Sequence, residues 1–357
     1  MRKTNLEAKI DELLAYHNHC FGEAASERWL ELCSSLSKYQ APSRNFGIHR
    51  ERKWELVSAL QKAVRRADKT TALQLISGIA SMPEEYSYFR RRMCVIVAED
   101  VGPADDMLVK FVIACATVLS PGELGTENHR LLCFFVEQMC DLPIRSRIYC
   151  SFETVSIAVD KATLPSLGPE DEAVLEGIAC HKESVKAGRT PLREWQKQQN
   201  WRTAGLLKCL GLRLPLASRI DTRPLPASRT IFDLPNYCYD QYTRIGLTVL
   251  HRLVQGVRGA EAIRDFFQRN RVKQAHQVLG EALFTVEGGR EQCELIYPAL
   301  RSLEQRIFAH QFGLPLEDWL RLCDLTLAAL EHGIIDKVRE EMLRRQYGQE
   351  NLQLVCQ

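Results

Sequence analysis

Thirteen cysteines and nine histidines are the side chains of this 357-residue chain best suited to bind a metal or attack a substrate. Their spacing argues against both. No CxxC pair occurs, so no half of a zinc ribbon exists, and an odd cysteine count in a long chain does not read as a disulfide framework. His17, His19 and Cys20 are close in sequence, but side chains two apart diverge on a helix, so one ion does not reach both histidines. Helices splay the adjacent carboxylates Glu84–Glu85, Asp105–Asp106 and Glu340–Glu341 in the same way. No phosphate-binding loop, dinucleotide fingerprint, HExxH helix or GxSxG elbow is present. A Cys–His dyad stays open, because sequence alone brings no particular cysteine to a particular histidine. These features predict no catalytic residue, no metal and no cofactor, hence a protein that is not an enzyme.

Charge offers a different chemistry. The formal net charge is only +2, from 47 basic and 45 acidic residues. The basic residues are unevenly spread. Lys186, Arg189, Arg193, Lys197, Arg202, Lys208, Arg213, Arg219, Arg223 and Arg229 face only Glu194 and Asp221, a local excess of +8 in 44 residues. Trp195 and Trp201 lie among them, with Gln196, Gln198, Gln199 and Asn200. Cations that track a phosphate backbone, together with aromatic faces that stack on bases, suit a nucleic-acid strand. The same residues also fit a solvated basic face with two core tryptophans, or a surface for an acidic protein. A shorter cluster, Arg264, Arg269, Arg271 and Lys273, is opposed only by Asp265 and extends the same surface if the two regions approach.

Helices must position these groups. Leu6, Ile10, Leu13 and Leu14 repeat at helical spacing, as do Trp54, Val57, Leu60, Ala63 and Val64, then Leu247, Leu250, Leu253 and Val254, and Leu316, Trp319, Leu320, Cys323 and Leu327. Val109 to Val118 forms a more apolar, central segment. Gly and Pro breakers recur at helix-length intervals, and no alternating hairpin pattern stands out. The expected fold class is all-α, with about 14 helices. Four prolines between Leu212 and Pro235 mark a linker or arm. The expected organisation is an N-terminal helical extension at 1–41, a helical bundle at 42–165, a basic helical segment at 166–211, the arm at 212–235 and a C-terminal helical domain at 236–357. Tyr237, Tyr239 and Tyr242 with Asp240 and Arg244 read as the start of a helix, with Tyr239 and Tyr242 on one face and Asp240 paired to Arg244. No uncharged apolar run approaches the ~18 residues of a membrane span. Glu7, Asp11 and Glu12 do not suit a signal or transit peptide. A reducing, cytoplasmic setting without a membrane partner is expected.

The most specific pattern lies at 53–106. Lys53 to Arg65 reads KWELVSALQKAVR, followed by Asp68 and Ala72-Leu73, then Arg91-Arg92, Ala98-Glu99-Asp100-Val101-Gly102 and Ala104-Asp105. This stretch resembles the C-terminal helical region of RarA/MgsA-type AAA+ proteins, relatives of clamp-loader subunits associated with stalled replication forks. The resemblance runs from about residue 46 to 161, a third of the chain. Arg66-Ala67 stands where the family has Gly-Ser, and Lys69-Thr70-Thr71 departs from its Pro-Asp-Ala region. The ATPase module that precedes this region in the family has no counterpart in these residues, so ATP hydrolysis is not carried over. The resemblance implies a clamp-loader collar-like bundle and a subunit-joining role, hence a homo-oligomer or a docked partner. Lys62, Arg65, Arg91, Arg92, Glu99 and Asp100 are the residues expected at that interface. Physically, Gly102 suits a left-handed helix end. Glu99 and Asp100 are placed to pair with Arg90, Arg91 and Arg92, in an internal or interfacial network.

These strands combine in one expectation: a non-enzymatic, DNA-associated accessory protein of replication or repair type, with nucleic acid as partner through the basic arm. The alternative is an adaptor or inhibitor, carried by a mobile element for instance, that binds a protein of the replication or defence machinery.

Overall fold

The computed structural model describes residues 5–21, 26–43, 52–79, 83–119, 121–125, 127–142, 154–155, 157–159, 161–168, 171, 175, 225–287 and 298–348. Among the described residues the chain is helical, with one two-stranded hairpin. The N-terminal helices are α1 (Asn5–Phe21), α2 (Glu27–Lys38), α3 (Lys53–Arg65), α4 (Lys69–Ile79), α5 (Tyr86–Asp100), α6 (Asp106–Val118), α7 (Pro121–Leu124) and α8 (Glu127–Asp141). Strands β1 (Thr230–Ile231) and β2 (Leu234–Pro235) pair antiparallel. Then come α9 (Arg244–Gln255), α10 (Glu261–Asn270), α11 (Ala275–Glu287), α12 (Pro298–Gln311), α13 (Leu316–Glu331) and α14 (Ile334–Tyr347).

Local chemistry sets the helix ends. Ser26 accepts the Trp29 N–H to cap α2, and Asp105 accepts the Leu108 N–H to cap α6. Gly102, at φ +52°, turns the chain out of α5 in the left-handed conformation expected for it. Helices α1 and α2 pack into the bundle. Trp29 is fully buried between His17 and Phe111, with ring centroids 4.4 and 5.1 Å away. The Arg28 guanidinium meets Asp105 at 3.0 Å, and the Tyr39 hydroxyl donates to Glu137 at 2.7 Å. Helices α1 and α2 therefore share the core of the helices that follow. Helix α6, apolar nearly all round, contacts α1, α2, α5 and α8, the central position its composition predicts.

In the C-terminal half, α11 lies against α9 and α13, and α14 against α9 and α13. Trp319 anchors this half beside Phe308 and Phe312, its indole N–H donating to Gln305 at 2.6 Å. The face of α13 differs from the expected stripe. Trp319, Leu322, Thr326, Ala329 and Leu330 point inward, while Leu316 and Leu320 are exposed. Trp54 and Leu247, also assigned to apolar stripes, are exposed too.

The end of the Pro-rich stretch is the described part of it; Ala227 to Thr230 are exposed, and the chain packs at the hairpin that follows. Ile231 and Leu234 are buried, and the hairpin turn at Phe232 and Asp233 takes φ of +50° and +66° without a glycine. Arg52 holds that turn by donating to the Phe232 carbonyl at 2.6 Å. The tyrosine-rich segment after it is also not the helix start expected. Residues 236–238 form a single 3-10 turn, and α9 begins at Arg244, capped by Thr243. Tyr239 is fully buried and Tyr242 is 66% exposed, so they do not share a face. Asp240 does not pair with Arg244, because its carboxylate turns to α3. Gly246 makes room for this turn: a Cβ there would lie 1.8 Å from the Asp240 carbonyl oxygen. Gly246→Ala is therefore expected to destabilise the fold by about 3 kcal/mol or more, read as a lower midpoint in urea unfolding.

Candidate interaction surfaces

Lys186, Arg189, Arg193, Trp195, Lys197, Trp201, Arg202, Lys208, Arg213, Arg219 and Arg223 lie outside the described residues. Arg229 is the one member of that arm within them. Its backbone N–H donates to Asn236 Oδ1 at 3.2 Å, and its guanidinium lies against the turn at Gly333.

The second basic cluster is described in full. Arg264 is neutralised by its neighbour, donating to Asp265 at 2.8 and 3.0 Å. Arg269, Arg271 and Lys273 are exposed and form no ion pair among the described residues. Arg271 takes the left-handed conformation at the end of α10, so these three cations crowd the corner between α10 and α11. Arg258, also exposed, stands in the turn before α10, about 15 Å away by helix rise. Close in sequence to Lys273, the His276 ring stacks on His251 across α9 and α11, centroids 4.1 Å apart. Burial and the neighbouring His251 hold His276 below the ordinary histidine range, so it is neutral at pH 7.

The residues expected at a subunit or partner interface divide. Lys62, Arg65 and Asp100 are buried within the chain, a correction to the surface role expected of them. Lys62 Nζ lies 2.7 Å from Asp240, both side chains 2% exposed, and also donates to the Tyr237 carbonyl. Arg65 Nε donates to Asp100 at 2.7 Å, with its guanidinium 4.8 Å from the Phe284 ring centroid. Asp100 thus pairs with α3 and not with the arginines of its own helix. Glu99 accepts from Gln61 at 2.6 Å, and Arg92 donates to the same Gln61. Arg90 is buried and donates to the Cys115 carbonyl, and burial lowers the pKa of its guanidinium. Arg91 alone of the set is exposed, and it forms no ion pair among the described residues.

Together these contacts form a buried polar seam between α3 and the C-terminal half. Arg66 donates to the carbonyls of Pro226 (2.5 Å) and Glu287 (3.0 Å). Arg52 donates to the Tyr239 hydroxyl at 2.7 Å, and that hydroxyl donates to the Ile231 carbonyl at 2.9 Å. Burial pushes the Tyr239 hydroxyl up, keeping it neutral and able to donate. Behind them Arg339, fully buried, binds both Glu287 oxygens at 2.8 Å and Asp336 at 3.1 Å. Asn236 donates to both Asp336 oxygens at 3.0 and 3.1 Å. Nothing in the sequence reading singled out Arg52, Asn236, Glu287, Asp336 or Arg339. The available signal was Asp336 and Arg339, three apart within the apolar stripe Ile335, Val338, Met342 and Leu343.

Cys33, Cys94, Cys115, Cys133, Cys140 and Cys238 are buried, and Cys323 is half-buried. Cys133 Sγ lies 3.3 Å from His129 Nε2, a Cys–His pair one helical turn apart, but both residues are buried. Burial pushes the Cys33 thiol up to about 11 and Cys94 up to about 12, so neither is a thiolate at neutral pH. His17 packs on Trp29. Among the described residues no group of three metal-ligating side chains converges, and no helix is long and apolar enough to cross a membrane. Compared with known protein families, curated proteins and solved structures, the chain finds no match in any of the three.

Proposed function

We propose that this chain is a non-enzymatic, DNA-associated accessory protein, built on a clamp-loader collar-like bundle and serving replication or repair. The corner Arg269–Arg271–Lys273 carries the reading: three exposed cations within five residues, none of them neutralised by an acid among the described residues. Unpaired surface cations gain most from releasing counterions off a phosphate backbone. The basic arm at 186–229 supplies the further positive charge such a contact needs. Charge reversal of the corner, R269E/R271E/K273E, is expected to weaken binding of a labelled DNA oligonucleotide about 100-fold near 0.1 M salt. Fluorescence anisotropy with single- and double-stranded DNA reads it, and unchanged affinity for both would remove the corner from the contact.

A protein-binding role is the second reading. Its support is Trp54, 60% exposed, and the unpaired Arg91, both within the region that resembles the subunit-joining part of RarA-type proteins.

A further inference from the structure

Lys53 and Trp54 begin α3 beside the start of α5. The Trp54 and Tyr88 rings stand perpendicular, with centroids 6.0 Å apart and planes at 90°. The two rings form perpendicular walls, and the Glu85 carboxylate stands beside them. A cation already sits there. Lys53 Nζ is 4.2 Å from the Tyr88 ring centroid, 5.6 Å from that of Trp54, and 2.6 Å from Glu85. Both distances are within the range at which a ring face attracts an ammonium group.

The placement is unusual for core aromatics. Trp54 is fixed at the head of a helix yet spends most of its surface on solvent. Ring faces and a carboxylate select a cation and repel phosphate, so this corner is chemically opposite to the basic corner at α10. An ordinary lysine from a partner would compete poorly with Lys53, which is tethered one residue from Trp54. A methylated ammonium is more weakly hydrated and more polarisable, and aromatic walls favour it for that reason.

We propose that Trp54, Tyr88 and Glu85 form a recognition corner for a methylated lysine of a partner protein, occupied by Lys53 in the free chain. The site stands independently of DNA binding. It makes Lys53 an internal plug: the partner's side chain enters as Lys53 swings out to solvent.

The test follows the Trp54 indole N–H by nuclear magnetic resonance of the full chain, assigned as the signal lost in Trp54→Phe. The probes are N-acetyl-trimethyllysine amide and its unmethylated counterpart. Lys53→Ala is expected to bind the trimethylated probe about tenfold more tightly than the unsubstituted chain, and to prefer it about tenfold over the unmethylated one. Adding Tyr88→Ala should abolish the response. Lys53→Gln serves in place of Lys53→Ala if thermal melting shows the alanine variant unfolded. An unmoved Trp54 signal in the opened variant, equal response to both probes, or persistence of binding after Tyr88→Ala would each overturn the assignment. Loss of DNA binding by the α10 corner leaves these outcomes unaffected, so the two proposals fail separately.

Discussion

Replacing Arg339 with methionine is expected to lower the unfolding free energy by about 3–5 kcal/mol, seen as a large fall in the urea midpoint. The guanidinium is fully buried and binds both oxygens of Glu287, one of Asp336 and the Tyr239 carbonyl. Methionine fills much of the volume but leaves two carboxylates in the interior without their main counter-charge. Leaving a buried charge unpaired is what makes the loss large, and the double change R339M/E287Q should recover a substantial part of it. The pH dependence has a definite sign. Burial alone would push the Glu287 carboxyl up, but Arg339, with Lys62 and Arg66 behind it, holds it below the ordinary glutamate range. A carboxyl depressed on folding contributes stability that is complete above its unfolded value of about 4.5 and is lost as pH falls through the folded value. The unsubstituted chain should therefore lose stability steeply on acidification below about pH 4.5. Glu287→Gln should flatten that part of the profile.

Lys62→Met is expected to have an effect of similar size, about 3–5 kcal/mol, by the same rule for a broken buried pair. Here the loss falls on the seam that joins α3 to the C-terminal half. Without the ammonium, Asp240 keeps only the Tyr242 N–H at 2.9 Å and a long contact from the Ser58 hydroxyl at 3.4 Å. The Tyr237 carbonyl also loses its donor. Asp240→Asn added to Lys62→Met removes the stranded charge while retaining the Tyr242 contact, and should restore at least half of the loss. Calorimetric melting checks both: a near-neutral Lys62→Met would show that the seam contributes little. Added salt should change either result only slightly, since buried pairs are poorly screened.

The helical character was legible because apolar residues repeat at helical spacing through α1, α3, α6, α9 and α13. Which face of each helix is buried was less legible. Trp54, Leu247 and Leu320 extend apolar stripes yet lie at the surface, because packing partners and not periodicity choose the buried face. Gly102 was read correctly, since a left-handed helix end is a local matter. The seam was not read at all. Lys62 meets Asp240, and Arg52 meets Tyr239, across about half the length of the chain, and no local rule pairs groups so distant in sequence. The same limit left the pair of Asp100 with Arg65 on α3 unread. The His129–Cys133 contact was within reach of an all-helical reading, as residues four apart on a helix share a face. Of the residues expected to contact nucleic acid, the clustering of charge was legible, but which cations are neutralised by a neighbouring acid was not. Only the structure separates Arg264, neutralised by Asp265, from Arg269, Arg271 and Lys273.

The central claim, that this chain holds nucleic acid by its basic surface, is tested most directly by a salt series. Binding of the full chain to a labelled DNA oligonucleotide is measured as ionic strength rises from about 50 to 200 mM. The claim predicts a straight fall of log affinity against log salt, with a slope that loses about 2–3 on R269E/R271E/K273E, one for each phosphate contact removed. Absence of binding to either single- or double-stranded DNA, or binding indifferent to salt, would contradict it.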